Sequence, residues 1–191
     1  MRIVTGTLKG RVIPSNSRRH GDIRVTSSRL RESLFAMLGA DLGATSFLDL
    51  CAGTGQMALE AASRGSRVVA AEPDRRRFEL LKKLVSEWKV QDIQLINAKA
   101  QAVIERLQEQ EEGAFHCVFI DPPYEATAAG EPLSVALLNR VAEANLCAAD
   151  GLVAVQHSKR LELPESSGRL HLQRQRRLGD SLLSLFGLEP A

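Results

Sequence analysis

Cysteine is scarce in this chain: three in 191 residues, at Cys51, Cys117 and Cys147. They form no C-x-x-C pair, and none stands at zinc-ligand spacing from another cysteine or from the histidines His20, His116, His157 and His171. That excludes a disulfide framework and a structural zinc site. The expectation is three reduced thiols packed as small apolar side chains, no metal, and no chemistry from the scattered histidines. Long apolar runs are missing as well. No uncharged stretch approaches the roughly 20 residues of a membrane-spanning helix. The opening Met-Arg-Ile-Val-Thr-Gly lacks the apolar segment of a secretory leader, so a cytoplasmic protein with no membrane partner is expected. Repeats and low-complexity tracts are absent too.

What is present is an ordinary globular composition, 44% hydrophobic and 25% charged, enough for one well-buried core. The net charge is only +2, but it is unevenly distributed. Residues 1–31 hold eight basic residues (Arg2, Lys9, Arg11, Arg18, Arg19, Arg24, Arg29, Arg31) against one acid, Asp22. The rest of the chain is mildly acidic. Such asymmetry suits a polyanion-binding arm, with Arg2, Lys9, Arg11, Arg18, Arg19 and Arg24 as its candidate contacts; a solvated tail is the plainer alternative. A second basic cluster, Arg169, Arg174, Arg176 and Arg177, lies near the C-terminus.

Along the chain, Arg2–Gly6 and Gly10–Pro14 read as two short strands around a glycine turn. Ser27 or Ser28 can cap a helix with Leu30, Leu34, Phe35 and Leu38 on its apolar face. From residue 46 onward strands alternate with helices: strands at 47–50, 67–71, 93–96, 115–120 and 152–155, helices at 56–64, 74–88, 100–110 and 132–146. Phe78, Leu81, Val85 and Trp88 should face inward from the second of these helices. The tail, 169–177 and 181–186 around Leu178-Gly179-Asp180, has no room for a helix and reads as a hairpin. This pattern means an α/β fold: a seven-stranded, mostly parallel sheet with helices on both faces and one reversed strand at the edge. Residues 1–45 are expected as a basic hairpin, loop and helix extension, and 46–191 as the main domain. Ligands should bind at the carboxyl ends of the strands.

The first strand runs into Asp49-Leu50-Cys51-Ala52-Gly53-Thr54-Gly55, and a helix follows. Glycines suit a sharp turn whose backbone approaches a ligand, and the helix start adds oriented N–H groups. Glu72 ends the second strand, where an acid can accept hydrogen bonds from the hydroxyls of an adenosine-like ribose. The candidate cofactor-binding set is Asp49, Cys51, Ala52, Gly53, Gly55, Glu72, Pro73, Asn97 and Ala98. Asn97 can reach an adenine edge or close a turn. The loop also fits the G-x-G-x-x-A pattern of dinucleotide enzymes, which keeps a dehydrogenase in play.

The fourth strand ends in Asp121-Pro122-Pro123-Tyr124, the candidate catalytic residues. The prolines fix an extended backbone and remove two N–H donors, leaving a concentration of acceptors: the Asp121 carboxylate and the Pro122 carbonyl. An exocyclic amino group has two hydrogens to donate. Two acceptors around it draw its lone pair out of conjugation and aim it at a methyl group. Tyr124, the one tyrosine in the chain, can stack on the base so presented. A stiff turn is the plainer reading of this tetrapeptide. Hydride transfer needs no such acceptor pair, which counts against the dehydrogenase.

With both motifs in place, the chain resembles the Rossmann-like class I methyltransferases. More closely, it resembles the bacterial 16S rRNA guanine-N2 methyltransferases of the small subunit. The resemblance rests on Arg2-Ile-Val-Thr-Gly6-Thr-Leu-Lys-Gly10-Arg11, on Arg24-Val-Thr26 with Arg31-Glu32-Ser-Leu-Phe35, on Leu48-Asp49-Leu-Cys-Ala-Gly53-Thr-Gly55, on Leu59-Glu60-Ala-Ala-Ser63-Arg64-Gly65 and on Leu178-Gly179-Asp180-Ser-Leu-Leu. Val25, Cys51 and Gln56-Met57 depart from that family's usual residues. The resemblance implies S-adenosyl-L-methionine as methyl donor, N2-methylguanine as product and no metal. It also implies 16S rRNA, in the small ribosomal subunit or an assembly intermediate, as partner of a monomeric enzyme. Two alternatives stand beside it: a DNA adenine-N6 methyltransferase, and an RNA-binding or ribosome-assembly module without required catalysis.

Overall fold

A computed structural model of the chain describes residues 1–14, 28–110 and 113–189. Its residues group into an N-terminal unit, Met1–Lys99, and a C-terminal unit, Ala100–Ala191. No helix among the described residues is long and apolar enough to cross a membrane.

In the N-terminal unit, β1 (Ser46–Asp49) is buried along its whole length and pairs in parallel with β2 (Arg67–Ala71), Phe47 opposite Val68 and Asp49 opposite Ala70. In turn β2 pairs in parallel with β3 (Ile93–Ile96). Helix α1 (Ser28–Leu38) buries Leu30, Leu34 and Phe35, and the Phe35 ring stacks on Phe47 with centroids 5.9 Å apart. Burying each such side chain contributes about 1.5–3 kcal/mol. Parallel neighbours need crossovers, which helices α2 (Gln56–Ser63) and α3 (Arg75–Glu87) supply. Asp74 caps α3 by accepting a hydrogen bond from the Arg77 N–H at 3.0 Å. The residues α3 buries are Leu81 and Leu84. Phe78, Val85 and Trp88, expected inward, are only half-buried, because Leu84 takes the place in the apolar stripe given to Trp88.

The N-terminal segment turns back on itself, but with one antiparallel bridge, Arg2 to Val12, rather than two full strands. Ile3, Leu8 and Ile13 bury their side chains. The segment docks on α2 through polar groups. The N–H groups of Val4 and Thr5 donate to the Glu60 carboxylate at 2.9 and 3.2 Å, and Leu8 N–H donates to Ser63 Oγ at 2.9 Å. Gly6, at φ +82°, passes so close to α2 that a Cβ there would lie 1.7 Å from the Ser63 carbonyl oxygen. Glu60 is fully buried, and Arg64 binds it through Nε and Nη2.

The C-terminal unit contains α4 (Ala100–Glu109), β4 (Phe115–Ile120), a two-residue-per-strand hairpin β5 (Thr127–Ala128) and β6 (Glu131–Pro132), α5 (Leu133–Glu143), β7 (Cys147–Ser158), β8 (Ser166–Ser167), β9 (Leu170–Leu178) and β10 (Ser181–Leu188). β4 and β7 are parallel, with Val118 opposite Val153 and Ile120 opposite Val155. β10 runs antiparallel to both β7 and β9. Among the described residues all seven expected strands are present, β8 adds a short one beside β9, and β5 and β6 pair with each other. The reversed strand, however, is not at the edge. It lies between β7 and β9, because the tight turn at Gly179-Asp180 folds β10 back against β9 and its other side completes β7. The segment joining β7 to β9 contains β8 and no helix, so β9 is reached without a helical crossover.

Candidate functional site

The glycine loop of the N-terminal unit is tied down at both ends. The Asp49 carboxylate, buried at the end of β1, accepts the Cys51 N–H at 3.2 Å, and the Ala52 N–H donates to the Ala71 carbonyl at 2.9 Å. Gly53 and Gly55 adopt φ of +56° and +85°. They need glycine for different reasons. A Cβ on Gly55 would lie 2.2 Å from Leu81 Cδ1, so the absence of a side chain lets α3 pack against the loop. A Cβ on Gly53 would meet nothing within 4 Å, so the space above its backbone is open.

Glu72 ties the loop to the end of β2. Only 3% exposed, it accepts the Gly53 N–H at 2.8 Å on Oε2, and the Asp74 N–H at 2.8 Å and Arg77 Nε at 3.1 Å on Oε1. Burial pushes its carboxyl above the ordinary value near 4.5, opposed by these hydrogen bonds and the Arg77 charge. A carboxylate offers about four acceptor positions, and these three donors already converge on it. The exposed Asn97 side chain donates to the backbone carbonyls of Glu72 at 2.7 Å and Pro73 at 3.3 Å. Of its two open roles, turn closure is the one seen. Pro73 is exposed and Ala98 half-buried, with the Ala98 N–H donating to Ile96 O at 3.1 Å.

In the C-terminal unit, Asp121 is half-buried at the end of β4, Pro122 is buried, Pro123 is exposed and Tyr124 is half-buried. The chain turns at once, with the Ala126 N–H donating to Pro123 O at 2.9 Å. The Tyr124 hydroxyl donates to Ser181 Oγ at 2.7 Å across 57 positions of sequence. Tyr124 therefore stands braced by the first residue of β10. A small open pocket is lined by Pro122, Pro123, Tyr124, Ser134, Gln156 and His157, among others. His157 places Nδ1 3.0 Å from Ser158 O and Nε2 2.8 Å from Ser184 Oγ; Gln175 Nε2 donates to the same Oγ at 2.9 Å. Burial holds the imidazole below its ordinary value, so it is neutral near neutral pH, with the proton on Nδ1 facing the carbonyl.

Sequence reasoning passed over Ser134, Gln156, His157 and Ser181. Ser181 follows Gly179-Asp180 in a segment that carries the resemblance, but no role was assigned to it. Gln156 and His157 end a strand and so had the right position for a site. Neither belonged to a motif.

Of the candidate basic contacts, Arg2, Lys9 and Arg11 are exposed on the N-terminal turn. Arg2 Nη1 donates to Gly10 O at 3.0 Å, and the Arg11 guanidinium lies 5.5 Å from the Trp88 ring centroid. Arg18, Arg19 and Arg24 lie outside the described residues. Arg31 differs in kind: it is 3% exposed, with Nε 3.9 Å from Glu60, and belongs to the interior. Arg169, Arg174, Arg176 and Arg177 are all exposed, the last three on β9. The cysteines carry no disulfide. Cys51 is half-buried, Cys117 and Cys147 are buried, and burial pushes the Cys147 thiol up to about 11. Among the described residues no group of three or more His, Cys, Asp or Glu side chains is placed to hold a metal.

The chain is similar to several bacterial proteins, two of them named as RNA methyltransferases. The ribosomal RNA small subunit methyltransferase D of Escherichia coli (strain K12) is 27% identical over 191 residues, covering 99% of this chain and 90% of that protein. The solved structure of a hypothetical protein from Thermus thermophilus has a TM-score of 0.79 at 28% identity, covering 98% of this chain and 99% of that one. An RNA methyltransferase from Salinibacter ruber, solved in complex with S-adenosyl-L-homocysteine, shares the fold with a TM-score of 0.62 at 15% identity, over 87% of this chain and 95% of that one. The family described as conserved hypothetical protein 95 matches residues 1–187, and the chain belongs to that family.

Proposed function

We propose that this chain is an S-adenosyl-L-methionine-dependent rRNA methyltransferase that transfers a methyl group to the exocyclic N2 of a guanine in 16S rRNA. The observation that carries the reading is the pocket at the end of β4, lined by Pro122, Pro123 and Tyr124, which follow Asp121 directly in sequence, with the Tyr124 hydroxyl held by Ser181. The small-subunit RNA methyltransferase among its full-length relatives supports the substrate class.

The residues of the glycine loop fit an adenosyl cofactor. The open space over Gly53 admits a ligand to the backbone, and the Glu72 carboxylate is held beside it as an acceptor. With three donors already on Glu72, one acceptor position is left for a ribose hydroxyl. A second hydroxyl bond requires Arg77 to turn away; its side chain is 28% exposed and has room to do so. The bound cofactor would supply an electrophilic methyl group on a sulfonium. The Asp121 carboxylate and the Pro122 carbonyl accept the two N–H bonds of the guanine amino group. Their alignment makes the nitrogen lone pair available, and the positive charge that grows on nitrogen is stabilised by the carboxylate and discharged as one of the two N–H protons leaves along its hydrogen bond to Asp121, and from there to water. Tyr124 holds the base by stacking. The exposed Arg2, Lys9 and Arg11 contact RNA phosphates, with the substrate presented in the small subunit or its assembly intermediate and the enzyme acting as a cytoplasmic monomer.

The test is transfer of labelled methyl groups to small-subunit particles from a strain lacking the protein, followed by mapping of the modified nucleotide. The expected product is N2-methylguanine in 16S RNA. Methylation of adenine only, or no transfer, overturns the reading.

A further inference from the structure

We propose that the outer edge of β9, through Arg174 and Arg176, is a track for the phosphate backbone of the RNA flanking the target base. The inference rests on the RNA-methyltransferase reading above and adds to it a contact surface in the C-terminal unit. Residues 169–178 include Arg169, Arg174, Arg176 and Arg177 and no acid, and all four arginines are exposed. The short β8 pairs with β9 only at Leu170 and His171. From Gln173 to Leu178 no described strand covers the outer side of β9, while β10 pairs along its inner side.

The sheet register fixes which face these side chains share. Residues directly opposite on antiparallel strands point to the same face. Gln156 of β7 stands opposite Leu183 of β10, and Leu183 stands opposite Arg176. Ser158, Ser181 and Leu178 form the row on one side of it; Ala154, Leu185 and Arg174 form the row on the other. Arg174 and Arg176 therefore lie on the same face as Gln156 and Ser158, which line the pocket, and as Ser181, which holds Tyr124. Two strand spacings, about 10 Å, separate the backbone of Arg176 from that of Gln156. A base inserted in the pocket leaves its flanking phosphates outside, where this exposed pair can meet them. A guanidinium presents its donors in a rigid fork that matches phosphate oxygens. The acid of the adjoining turn, Asp180, is already engaged by Lys159 Nζ at 2.5 Å, so the edge keeps its positive charge. Charge on an open edge also keeps it from pairing with other strands. That role needs no RNA and works with either sign, so a measurement on RNA separates the two.

The probe is a naked small-subunit RNA fragment holding the mapped target, titrated by fluorescence anisotropy over a range of salt, with intact small-subunit particles beside it. Arg174→Ala with Arg176→Ala should lower the slope of log affinity against log salt by about 1.4–1.8. Each lost phosphate contact removes roughly 0.7 on a single strand and 0.9 on duplex. S-adenosyl-L-homocysteine binding, thermal unfolding and the methyl-transfer rate at saturating RNA should hold. Arg174→Lys with Arg176→Lys keeps the charge and should keep most of the slope. Arg169→Ala, beyond the far end of β9, should leave the slope unchanged. An unchanged slope in the double alanine variant overturns the track. So does a comparable fall in Arg169→Ala, which marks a diffuse positive field. A loss seen with particles and not with naked RNA places a protein on this edge and overturns it too. A slope that falls as expected in a protein whose product is not N2-methylguanine keeps the surface and overturns the guanine reading alone.

Discussion

The two units use different materials for their candidate sites. In the N-terminal unit the ladders are all parallel, and the site is made of backbone: glycine N–H groups, an open turn and one buried acid held by neighbours 2, 5 and 19 positions away in sequence. In the C-terminal unit only β4 and β7 pair in parallel, and the pocket is made of side chains. These come from the end of β4, from α5 and from the end of β7, and they are braced by β10, as in Tyr124 on Ser181 across 57 positions. A backbone cradle can be contained in one short motif. A side-chain pocket depends on which distant strands the topology delivers to its walls.

The largest effect expected from breaking either unit is on stability. Glu60→Ala removes the carboxylate that receives two N-terminal N–H groups and Arg64, leaving a half-buried guanidinium and two donors without it. Removing one partner of such a buried pair costs about 3–5 kcal/mol. Denaturant unfolding should show a loss of that size. A loss below about 1 kcal/mol would mean that the N-terminal turn is not docked through Glu60. Next is Asp121→Ala in the C-terminal unit. It should lower the single-turnover methyl-transfer rate by about a hundredfold, the scale for one preorganised electrostatic contact, with little change in cofactor affinity. Wild-type turnover in this variant would remove the acceptor pair from the mechanism.

Glu72→Ala tests the other side of the comparison. The loss of one charged acceptor for a ribose hydroxyl should weaken S-adenosyl-L-homocysteine binding by about tenfold or more in calorimetry. Asp121→Ala should not, so the two variants separate binding from chemistry. If both variants weaken the cofactor equally, the division of labour between the units is wrong.

The same division decides what could be read from the sequence. The strand-helix alternation was legible because buried parallel strands are short apolar runs and their crossover helices carry a 3.6-residue stripe. The turn at Gly53 and Gly55 was legible because glycines after a buried strand mark left-handed backbone, and Glu72 because it ends the neighbouring strand; the hydrogen bond that joins the two is what the structure adds. The reversed strand was misplaced because hairpin signals identify a turn and say nothing about which outer neighbour a strand will find. Trp88 was misjudged because a stripe that drifts along the helix, from Trp88 to Leu84, looks equally regular in sequence. Ser181, Gln156 and His157 were missed because their partners lie on other strands, and no local spacing records that.

A smaller effect follows from the Tyr124 brace. Tyr124→Phe keeps the ring and removes one neutral hydrogen bond, whose net worth is about 0.5–1.5 kcal/mol. Methyl transfer should fall by several-fold, and Ser181→Ala should match it, because each variant breaks the same contact. Adding the second substitution to the first should cost nothing more. Additive losses in the double variant would show that the hydroxyl and Ser181 act separately.

The smallest effect is on pH dependence, and here the two units should have opposite signs. Burial raises Glu72, so over the range above its ordinary value near 4.5 the folded state holds a proton that the unfolded chain has released. That contribution is present at acid pH and lost as pH rises through the folded value. Burial lowers His157, so below its ordinary value near 6.5 the unfolded chain binds a proton that the folded state refuses. That contribution is complete above about 6.5 and lost as pH falls toward the folded value. Other carboxylates also titrate as the pH is lowered, so the informative quantity is a difference between wild type and His157→Gln. The variant keeps polar contacts for Ser184 and cannot be protonated. Urea unfolding at a series of pH values should give a constant difference above about 6.5, with wild type losing ground to the variant below it. A difference that stays flat through that range would mean that His157 takes up its proton as readily in the folded protein as in the unfolded chain. Its two oxygen partners would then hold an imidazolium, and the wall of the pocket beside Gln156 would be charged.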